Sequence, residues 1–343
     1  MNILVVGASL IDLFLRLEES HVKTSGQSIE LQLGDKIPTQ IDKLTLGGNG
    51  ANVSVGLARL GINTSFFTWL GDDALSKEIE NTILSENVKL LTDSARGKTT
   101  GLSVILNFGK DRIILSHHEV GDHNFDHKEE TKPDVVYLTS IGDRWEETYK
   151  KVLDFCLEKG SILAFSPGTK QIEEFGDIVS SALKKTNYLF VNRQEAEVIL
   201  KQTGLSGGNI KNIFSNLSSL GPKIISITDG ANGAYSVAAN GQIYRISAIP
   251  TSSEINRTGA GDAYATGFLA AILQEKEIDQ AMAWGASNAY SVMQKVGAQD
   301  GLFTGSEILK YLEERFEKIF FMFPPERPVC FKITSASWRF TNK

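Results

Sequence analysis

Residues 256–273, NRTGAGDAYATGFLAAIL, combine a turn of small residues with one acidic side chain, Asp262. The turn consists of Gly259, Ala260 and Gly261. Behind Asp262 the apolar residues recur at helical spacing, which predicts that the turn opens a helix. The first N–H groups of a helix have no partner within it and form a site for an anion. We interpret the turn as a site for a phosphoryl group, with Asp262 holding the hydroxyl that attacks it. An ordinary helix start capped by Thr258 is the alternative.

A second glycine cluster, at residues 46–61 (LGGNGANVSVGLARLG), precedes another predicted helix. Glycines allow a ligand to approach the backbone closely, and asparagine amides can bridge hydroxyl groups. The candidate substrate-binding residues in this cluster are Gly47, Gly48, Asn49 and Asn52. A plain strand-to-helix turn is the alternative. A dinucleotide fingerprint is disfavoured, because Val53 stands where the third glycine belongs and the cluster does not follow the first buried strand.

Two shorter motifs follow predicted buried strands, at the sheet edge where open α/β proteins bind ligands. Asn192 and Glu195 are an amide and a carboxylate that can hold a hydrated magnesium ion through its waters. A solvated helix start is the alternative for this pair. The second motif offers a hydroxyl and backbone amides to a phosphate, or forms a plain turn. It consists of Thr228, Gly230 and Gly233.

Residues 116–130, SHHEVGDHNFDHKEE, contain four of the five histidines among five carboxylates. Such side chains suit several divalent metals, but here they follow no helical or alternating register. We therefore expect an acidic surface loop, with a metal site as the less favoured alternative. A further option is that a histidine of this loop, or Arg112, faces the substrate.

Strand-like and helix-like segments alternate along most of the chain, which predicts right-handed crossovers and a mainly parallel sheet covered on both faces. Continuous apolar runs such as residues 2–6 are typical of strands buried on both faces. Residues 12–45 and 101–117 instead contain short alternating segments, including LFLRLE, SIELQL and IDKLTL, that are typical of one-sided antiparallel strands. The predicted fold is a doubly wound α/β domain with a small discontinuous β-sheet lid over its strand ends.

The bulk composition limits the partners and the location. The 343 residues carry a formal charge of −6, which disfavours a nucleic-acid partner because such binding needs a basic face. The two cysteines are too few for a disulfide framework. No apolar run approaches the roughly 18 residues that cross a bilayer, and the apolar start lacks the features of a signal peptide. We expect a cytoplasmic protein with no membrane partner.

The four clusters, in this order on an α/β chain, resemble the ribokinase/PfkB family of carbohydrate kinases over residues 1–318, which would form a single domain. The two signatures are GGNGAN at residues 47–52 and TGAGDAY at residues 258–264. The resemblance implies a ribokinase-like fold, ATP and Mg²⁺ as cofactors, and Asp262 as the catalytic base. It implies an anion hole formed by Gly259, Ala260 and Gly261. Sugar hydroxyl groups would bind Asp12, Gly48 and Asn52. Magnesium would be held through Asn192 and Glu195, and ATP would bind Asn192, Thr228, Gly230, Gly233 and Asn288.

Several residues depart from the family pattern. Leu10 and Asn49 stand where ribose-specific members carry Asn and Lys, which disfavours ribose as the substrate. Asn256 replaces the usual Asp at a position associated with a monovalent cation, so the resemblance does not support potassium dependence. Residues 166–168, SPG, stand where many sugar kinases have D-P-N. Residues 319–343 match no part of the family and are predicted to form a C-terminal extension.

These observations predict an ATP-dependent phosphotransferase that phosphorylates a primary hydroxyl of a small sugar such as a ketose or furanose. A nucleoside kinase of the same fold and a non-catalytic sugar-binding regulator are the alternatives, followed by a dinucleotide oxidoreductase. One-sided strands expose a face and edges unless something covers them, so we also predict a homodimer formed through the lid.

Overall fold

The computed structural model describes residues 1–18, 22–25, 28–94, 98–108, 111–117, 123–127, 132–251, 257–315, 330–334 and 337–341. The strands are β1 (Asn2–Val6), β2 (Leu10–Leu17), β3 (Lys23–Ser25), β4 (Ser28–Glu30), β5 (Thr39–Gly47), β6 (Asn63–Leu70), β7 (Lys89–Ser94), β8 (Leu102–Phe108), β9 (Asp111–His117), β10 (Val135–Thr139), β11 (Ile162–Ser166), β12 (Thr186–Asn192), β13 (Ile224–Thr228), β14 (Ala234–Val237), β15 (Ile243–Ile246), β16 (Cys330–Thr334) and β17 (Ser337–Thr341). The α-helices are α1 (Asn49–Arg59), α2 (Ala74–Ser85), α3 (Trp145–Lys159), α4 (Thr169–Glu174), α5 (Gly176–Lys185), α6 (Arg193–Gln202), α7 (Ile210–Ser219), α8 (Ala260–Leu273), α9 (Ile278–Met293) and α10 (Gly305–Glu314).

The central sheet has nine strands in the order β15-β14-β13-β12-β11-β10-β1-β6-β7. The strands from β13 to β7 in this order are all parallel, and β14 and β15 are added antiparallel. Strands β1 and β10 are apolar throughout because helices cover both faces of the sheet. This arrangement confirms the predicted doubly wound α/β fold.

Two hydrophobic cores fill the space between the sheet and the helices. One core includes Val53 of α1, Phe268 of α8 and Met282 of α9. The other core lies on the opposite face and includes Trp145 of α3 and Ile199 of α6. The glycine clusters therefore open helices of one layer, whereas α6, which follows the Asn192 motif, belongs to the other layer.

Helix α8 is apolar on nearly all sides and packs closely against α9 and α1. A Cβ at Gly267 would lie 2.7 Å from the carbonyl oxygen of Trp284, and one at Gly56 would lie 2.9 Å from Thr266. These close approaches leave no room for a larger side chain. They fix the position of α8, and with it the acidic residue in its first turn.

A separate four-stranded sheet, in the order β5-β2-β8-β9, forms the lid. Strand β2 pairs antiparallel with β5 but parallel with β8, so the expectation of purely antiparallel strands is wrong at this pair. The reason is that the lid is built from two insertions that leave the central sheet in the same direction. Two side chains tie the lid to the main body: Lys43 contacts Asp300, and Arg112 donates to Thr258.

Other segments differ from the sequence-based expectations. Of the SIELQL segment only Ser28–Glu30 is a strand, and it pairs with Lys23–Ser25 in a hairpin outside the lid sheet. Leu33 is 98% exposed, because the alternating pattern there has no core to face. Strand β7 was not predicted from the sequence. Strands β14 and β15 form an antiparallel hairpin at the edge of the central sheet.

Parts of three predictions lie outside the described residues: residues 118–122 and 128–130 of the histidine-rich segment, the position of Asn256, and most of residues 319–343. Within the described C-terminal residues, β16 and β17 form an antiparallel pair. None of the helices in the described part of the chain is long and apolar enough to span a bilayer.

Candidate active site

Asp262 lies in the first turn of α8, and both oxygens of its carboxylate accept hydrogen bonds from side-chain amides. Asn49 Nδ2 donates to Oδ1 at 3.1 Å, and Asn52 Nδ2 donates to Oδ2 at 2.9 Å. The amides come from one glycine cluster and the carboxylate from the other. Asn49 is 213 residues from Asp262 along the chain, and Asn52 is 210 residues from it. The fold thus brings together the residues that the sequence singled out separately.

The turn before Asp262 has the conformation that an anion site requires. Gly259 has φ +75°, in the left-handed region, and a Cβ there would lie 2.6 Å from Ala298 Cβ. No side chain among the described residues caps α8. Thr258, the predicted cap, instead accepts a hydrogen bond from Arg112 Nη1 at 2.7 Å. The Ala260 N–H donates to the carbonyl oxygen of Arg257 at 3.4 Å. The N–H groups of Gly261 and Asp262 have no acceptor among the described residues and remain available to a ligand, at the positive end of the helix dipole.

The turn before α1 packs directly on the loop after β1. Gly48 has φ +91°, and a Cβ there would lie 2.6 Å from the carbonyl oxygen of Ala8. This contact requires glycine and sets the start of α1, from which Asn49 and Asn52 reach Asp262. Ser140, at the end of β10, donates to Asn49 Oδ1 at 3.0 Å and so orients that amide.

The environment of Asp262 opposes its ionisation only in part. Burial raises the pKa of this carboxyl to about 6, and the negative charge of Glu195 acts in the same direction. The hydrogen bonds from Asn52 and Asn49 act in the opposite direction. Asp262 is therefore mainly ionised at neutral pH, yet basic enough to accept a proton.

Asp12 lies in the lid strand β2 and is 6% exposed. A Cβ at Gly47 would lie 2.3 Å from Asp12 Oδ2, so the glycine leaves room for this carboxylate. Burial raises the pKa of Asp12 to about 6, and the positive charge of Arg112 partly offsets the effect. The structure thus places Asp12 between the second glycine cluster and a guanidinium group of the lid.

A cavity of about 440 Å³ lies beside Asp262, at the carboxyl ends of β10 to β13; we call it the Asp262 cavity. Its polar lining includes Asn49, Ser140, Asp143, Ser166, Lys170, Asn192, Glu195, Thr228 and Asp262. Lys170 and Asp143 form an ion pair on its wall. Gly168, also on the wall, has no room for a side chain, because a Cβ would lie 2.5 Å from Ser140 Cβ.

Asn192 and Glu195 form a reciprocal cap at the start of α6. Asn192 Oδ1 accepts from the backbone N–H of Glu195 at 2.8 Å, and Glu195 Oε2 accepts from that of Asn192 at 2.7 Å. The helix-start interpretation is therefore correct, but it does not exclude a ligand, because both side chains line the Asp262 cavity. Burial raises the pKa of Glu195.

A second cavity, of about 640 Å³, lies on the other side of the turn before Asp262. Thr228, Gly230 and Gly233, which the sequence predicts to bind one phosphate-bearing ligand, all line this cavity. Apolar residues form another part of its wall; these are Ile249, Ala286, Ala289, Tyr290 and Met293. The two cavities share four lining residues, Asn192, Thr228, Gly261 and Tyr264. A ligand in the second cavity can therefore extend past Gly261 to Asp262.

Asn288 does not lie where a nucleotide-binding residue was expected. Its side chain is fully buried: Nδ2 donates to the carbonyl oxygen of Ala263 at 2.9 Å, and Oδ1 accepts from the N–H of Phe303 at 3.0 Å. It lines neither cavity. The physical role of Asn288 is to join α8 to the segment that follows α9.

The histidine-rich segment is packed inward where it is described. His123 is buried, contacts the carbonyl oxygen of Asp143 at 2.6 Å and meets Trp69 edge-on. Phe125 is also buried, so residues 123–127 are not the expected acidic surface loop. In the described part of the chain no group of three or more His, Cys, Asp or Glu residues is placed to hold a metal.

Sequence reasoning missed three residues of the site. Gln299 donates to Asn52 Oδ1 at 3.1 Å, and Ser140 and Lys170 line the Asp262 cavity. Ser140 follows a buried parallel strand, and the rule that ligands bind at carboxyl strand ends could have indicated it. Gln299 follows a helix in a turn and carries no such signal.

Comparison with known proteins agrees with this geometry. The sequence profile described as "pfkB family carbohydrate kinase" matches residues 2–304. The 5-dehydro-2-deoxygluconokinase 1 of Bacillus cereus (strain ZK / E33L) is 27% identical over 293 residues, which cover 80% of this chain and 87% of that protein. A 5-dehydro-2-deoxygluconokinase of Bacillus anthracis (strain A0248) has the same identity over the same length.

Solved structures share the fold. A putative ribokinase II of E. coli in complex with ATP and Mg²⁺ gives a TM-score of 0.76 at 15% identity, covering 91% of this chain and 99% of that one. Ribokinase of Thermotoga maritima gives 0.73 at 20% identity, with coverage of 91% and 99%. A nucleoside kinase of Methanocaldococcus jannaschii gives 0.70 at 21% identity, with coverage of 91% and 98%.

Proposed function

Since the chain belongs to the PfkB family of carbohydrate kinases and is therefore a sugar kinase, we propose that it transfers the γ-phosphate of ATP to a primary hydroxyl of a small sugar or sugar acid, with Asp262 as the base. The observation that carries this proposal is the position of Asp262. Its carboxylate is held by two amides at a helix start without a side-chain cap, in a cavity that meets a second cavity at the neighbouring Gly261.

The reaction follows from that position. Asp262 accepts the proton of the substrate hydroxyl as the hydroxyl oxygen bonds to the γ-phosphorus. The bond from the γ-phosphorus to the bridging oxygen breaks, and ADP leaves. Such transfers pass through a loose transition state, so positioning and charge stabilisation matter more than the strength of the base. The N–H groups after Gly259 are placed to stabilise the charge on the transferred group.

ATP fits the second cavity. The apolar wall around Tyr290 and Met293 suits a purine base, and Thr228, Gly230 and Gly233 supply a hydroxyl and flexible backbone near the phosphates. Arg257 lines the same cavity and adds positive charge beside the turn. A kinase that draws on cytoplasmic ATP is expected in the cytoplasm.

Magnesium would be held by Glu195 and, through water, by Asn192. The donor set fits, because Glu195 and Asn192 bring a buried carboxylate and an amide to one cavity, and burial disfavours the ionised carboxylate of Glu195 unless a cation is near. When bound there, the ion would neutralise charge on the phosphates. The residues of the chain contribute the carboxylate oxygen, the amide and a fixed helix start that orients both.

The substrate is best sought among sugar acids. The relatives named above are 5-dehydro-2-deoxygluconokinases, and their named substrate is a gluconate derivative that carries both a carboxylate and hydroxyl groups. In this chain Asp12 and Asn52 are candidates for the hydroxyl groups, and the lid residue Arg112 adds positive charge beside Asp12.

A coupled assay for ADP, run over a panel of sugar acids, neutral sugars and nucleosides, tests the proposal. We expect turnover with a sugar or sugar acid, and we expect Asp262→Asn to lower kcat by roughly 10²–10⁴-fold, the usual cost of losing a general base. Turnover restricted to nucleosides would replace the substrate class. If the protein binds sugars without any turnover of ATP, it is a sugar-binding regulator.

We further propose a homodimer formed through the lid. The lid strands expose four large apolar side chains: Ile41 at 72%, Leu44 at 50%, Ile114 at 47% and Leu115 at 56%. Sedimentation at micromolar concentration should give twice the monomer mass, and Ile41→Lys should give a monomer. A monomeric wild-type protein would refute the proposal.

A further inference from the structure

We propose that Gln299 is a positioning residue for the proposed reaction, and that it acts on Asp262 by fixing the orientation of the Asn52 amide. The inference rests on the assignment of Asp262 as the base. Gln299 is 4% exposed and lines neither of the two cavities, so it acts without touching a ligand there.

A relay of two hydrogen bonds connects Gln299 to the carboxylate. Gln299 Nε2 donates to Asn52 Oδ1 at 3.1 Å, and Asn52 Nδ2 donates to Asp262 Oδ2 at 2.9 Å. A carboxamide has one donor end and one acceptor end. Because Gln299 occupies the acceptor end of Asn52 with an N–H group, only the donor end is left for Asp262.

The opposite orientation of Asn52 would be harmful at this site. It would direct Oδ1 at a carboxylate oxygen and Nδ2 at the amide nitrogen of Gln299, so two like partial charges would meet at each contact. Asp262 would lose one of the two hydrogen bonds that favour its ionised form. The orientation of Asn52 thus controls both the direction of the carboxylate and its affinity for protons.

The segment that carries Gln299 is itself fixed from two sides. Arg59 Nη1 donates to the carbonyl oxygen of Gln299 at 2.7 Å and to that of Leu302 at 3.3 Å. Arg59 is held by two hydrogen bonds to Glu86, at 2.6 and 2.8 Å. On the other side, Asn288 Oδ1 accepts a hydrogen bond from the backbone N–H of Phe303 at 3.0 Å. The relay therefore starts from a rigid support.

The other carboxylate oxygen of Asp262, Oδ1, also accepts a hydrogen bond from an amide that a further donor orients. Asn49 donates to Oδ1 of Asp262, and the acceptor end of the Asn49 amide is occupied by the hydroxyl of Ser140 at 3.0 Å. Each amide that binds the base is thus oriented by a further donor. Ser140 lines the Asp262 cavity, so a change there would also alter ligand contacts. Gln299 offers the test of orientation alone.

Gln299→Met is the principal test, because it keeps the length of the side chain and removes the donor. In the full-length enzyme, at saturating magnesium-ATP, we expect kcat/KM for the sugar to fall about tenfold, as for a lost hydrogen bond to a charged network. We expect the acid limb of its pH profile to move to higher pH by about half a unit or more, because Asp262 loses a hydrogen bond to its charged form.

Other titratable groups act on Asp262 and must be kept constant. The negative charge of Glu195 of α6 raises the pKa of Asp262. The negative charge of Asp262 in turn raises the pKa of the Tyr137 hydroxyl of β10. Lys170 and Asp143 face the same cavity as an ion pair. All four are retained in Gln299→Met, so a shift of the limb reports the relay through Asn52.

A matched control and a double-mutant cycle separate orientation from general structure. Gln274 Nε2 donates to the carbonyl oxygen of Leu60 at the far end of α1, so Gln274→Met removes a similar donor away from the cavities and should not move the limb. In an Asn52→Ala background, Gln299→Met should have no further effect. Multiplicative effects of the two changes, or an unmoved limb, would overturn the proposal.

A second variant covers the case in which Gln299→Met fails to fold. Gln299→Glu keeps the shape of the side chain, but its ionised carboxylate only accepts hydrogen bonds. Asn52 would then turn its donor end toward the new carboxylate and away from Asp262. We expect a larger loss of kcat/KM than in the methionine variant. Activity within twofold of wild type would refute the relay. Different results would refute the proposed function itself: no sugar-dependent ATP turnover by the wild-type protein, or undiminished turnover by Asp262→Asn.

Discussion

Burial raises the pKa of two carboxyl groups to about 6: that of Asp262, at the start of α8, and that of Asp12, in the lid. Their neighbours differ. Asp262 accepts hydrogen bonds from two amides and lines a cavity, whereas Asp12 faces the guanidinium of Arg112 and lines neither cavity. Equal proton affinity therefore does not imply an equal role.

The difference lies in what each group can reach. Asp262 lines the Asp262 cavity next to Gly261, which both cavities share, so one carboxylate oxygen can contact a hydroxyl while the adjacent N–H groups contact a phosphoryl group. Asp12 is held in a lid strand beside Gly47, and can contact only the part of a substrate that lies under the lid. We therefore propose proton transfer as the role of Asp262 and substrate binding as the role of Asp12.

After Asp262 itself, the largest effect is expected at the turn before it. Gly259→Ala places a methyl group against Ala298 and forces a left-handed conformation on alanine, at a cost of about 1–2 kcal/mol for the backbone alone. We expect a lower melting temperature, and a kcat reduced by about 10²-fold as for a displaced anion-hole donor.

Gly261→Ala is the matched control for stability. A Cβ at Gly261 meets no described atom within 4 Å, so the melting temperature should not fall. The new methyl group would still project where the two cavities meet, and kcat should fall. Equal melting temperatures for the two variants would contradict the packing described for Gly259.

Asp12→Asn should separate binding from chemistry. Losing a charged hydrogen-bond partner should raise KM for the sugar by about tenfold, with kcat changed by less than about threefold. The steady-state assay for ADP measures both. Asp42, another lid carboxylate, pairs with Arg16 at the surface at 3.0 Å, and Asp42→Asn should leave KM unchanged. A loss confined to kcat in Asp12→Asn would mean that Asp12 takes part in the chemistry.

The smallest effect is expected at the start of α6. Asn192→Ala removes a helix cap and should lower the free energy of unfolding by about 1 kcal/mol in urea titrations. Asn209 caps α7 in the same way, so Asn209→Ala should cost a similar amount. Only Asn192→Ala should raise the magnesium concentration needed for half-maximal activity. An identical magnesium dependence in both variants would leave Asn192 with a structural role alone.

Much of the fold and of the site could be predicted from local patterns. Apolar runs such as β1 and β10 indicated the parallel sheet, and the glycines before Asn49 and Asp262 indicated two tight turns because their conformations need residues without a Cβ. The lid strands β2 and β5 were visible in their alternation, whereas the parallel pairing of β2 with β8 depends on chain direction in space.

Contacts between distant residues were not predictable. The bond from Gln299 to Asn52 spans 247 residues and joins two amides that local sequence does not distinguish from surface side chains. Asn288 was misplaced because its position on α9 points into the packing with α8 and away from the second cavity. The inward packing of His123 was hidden by the charged residues around it.

The assignment of Asp262 as base is tested most directly by the pH dependence of kcat in wild type and in Asp12→Asn, at saturating sugar and magnesium-ATP, where sugar binding by Asp12 no longer limits the rate. The base must be ionised, so activity should fall tenfold per unit of pH below the pKa of Asp262, near 6, and level off above it. We predict the same acid limb in both proteins. An acid limb that disappears in Asp12→Asn would show that Asp12 is the group that titrates, and would contradict the account.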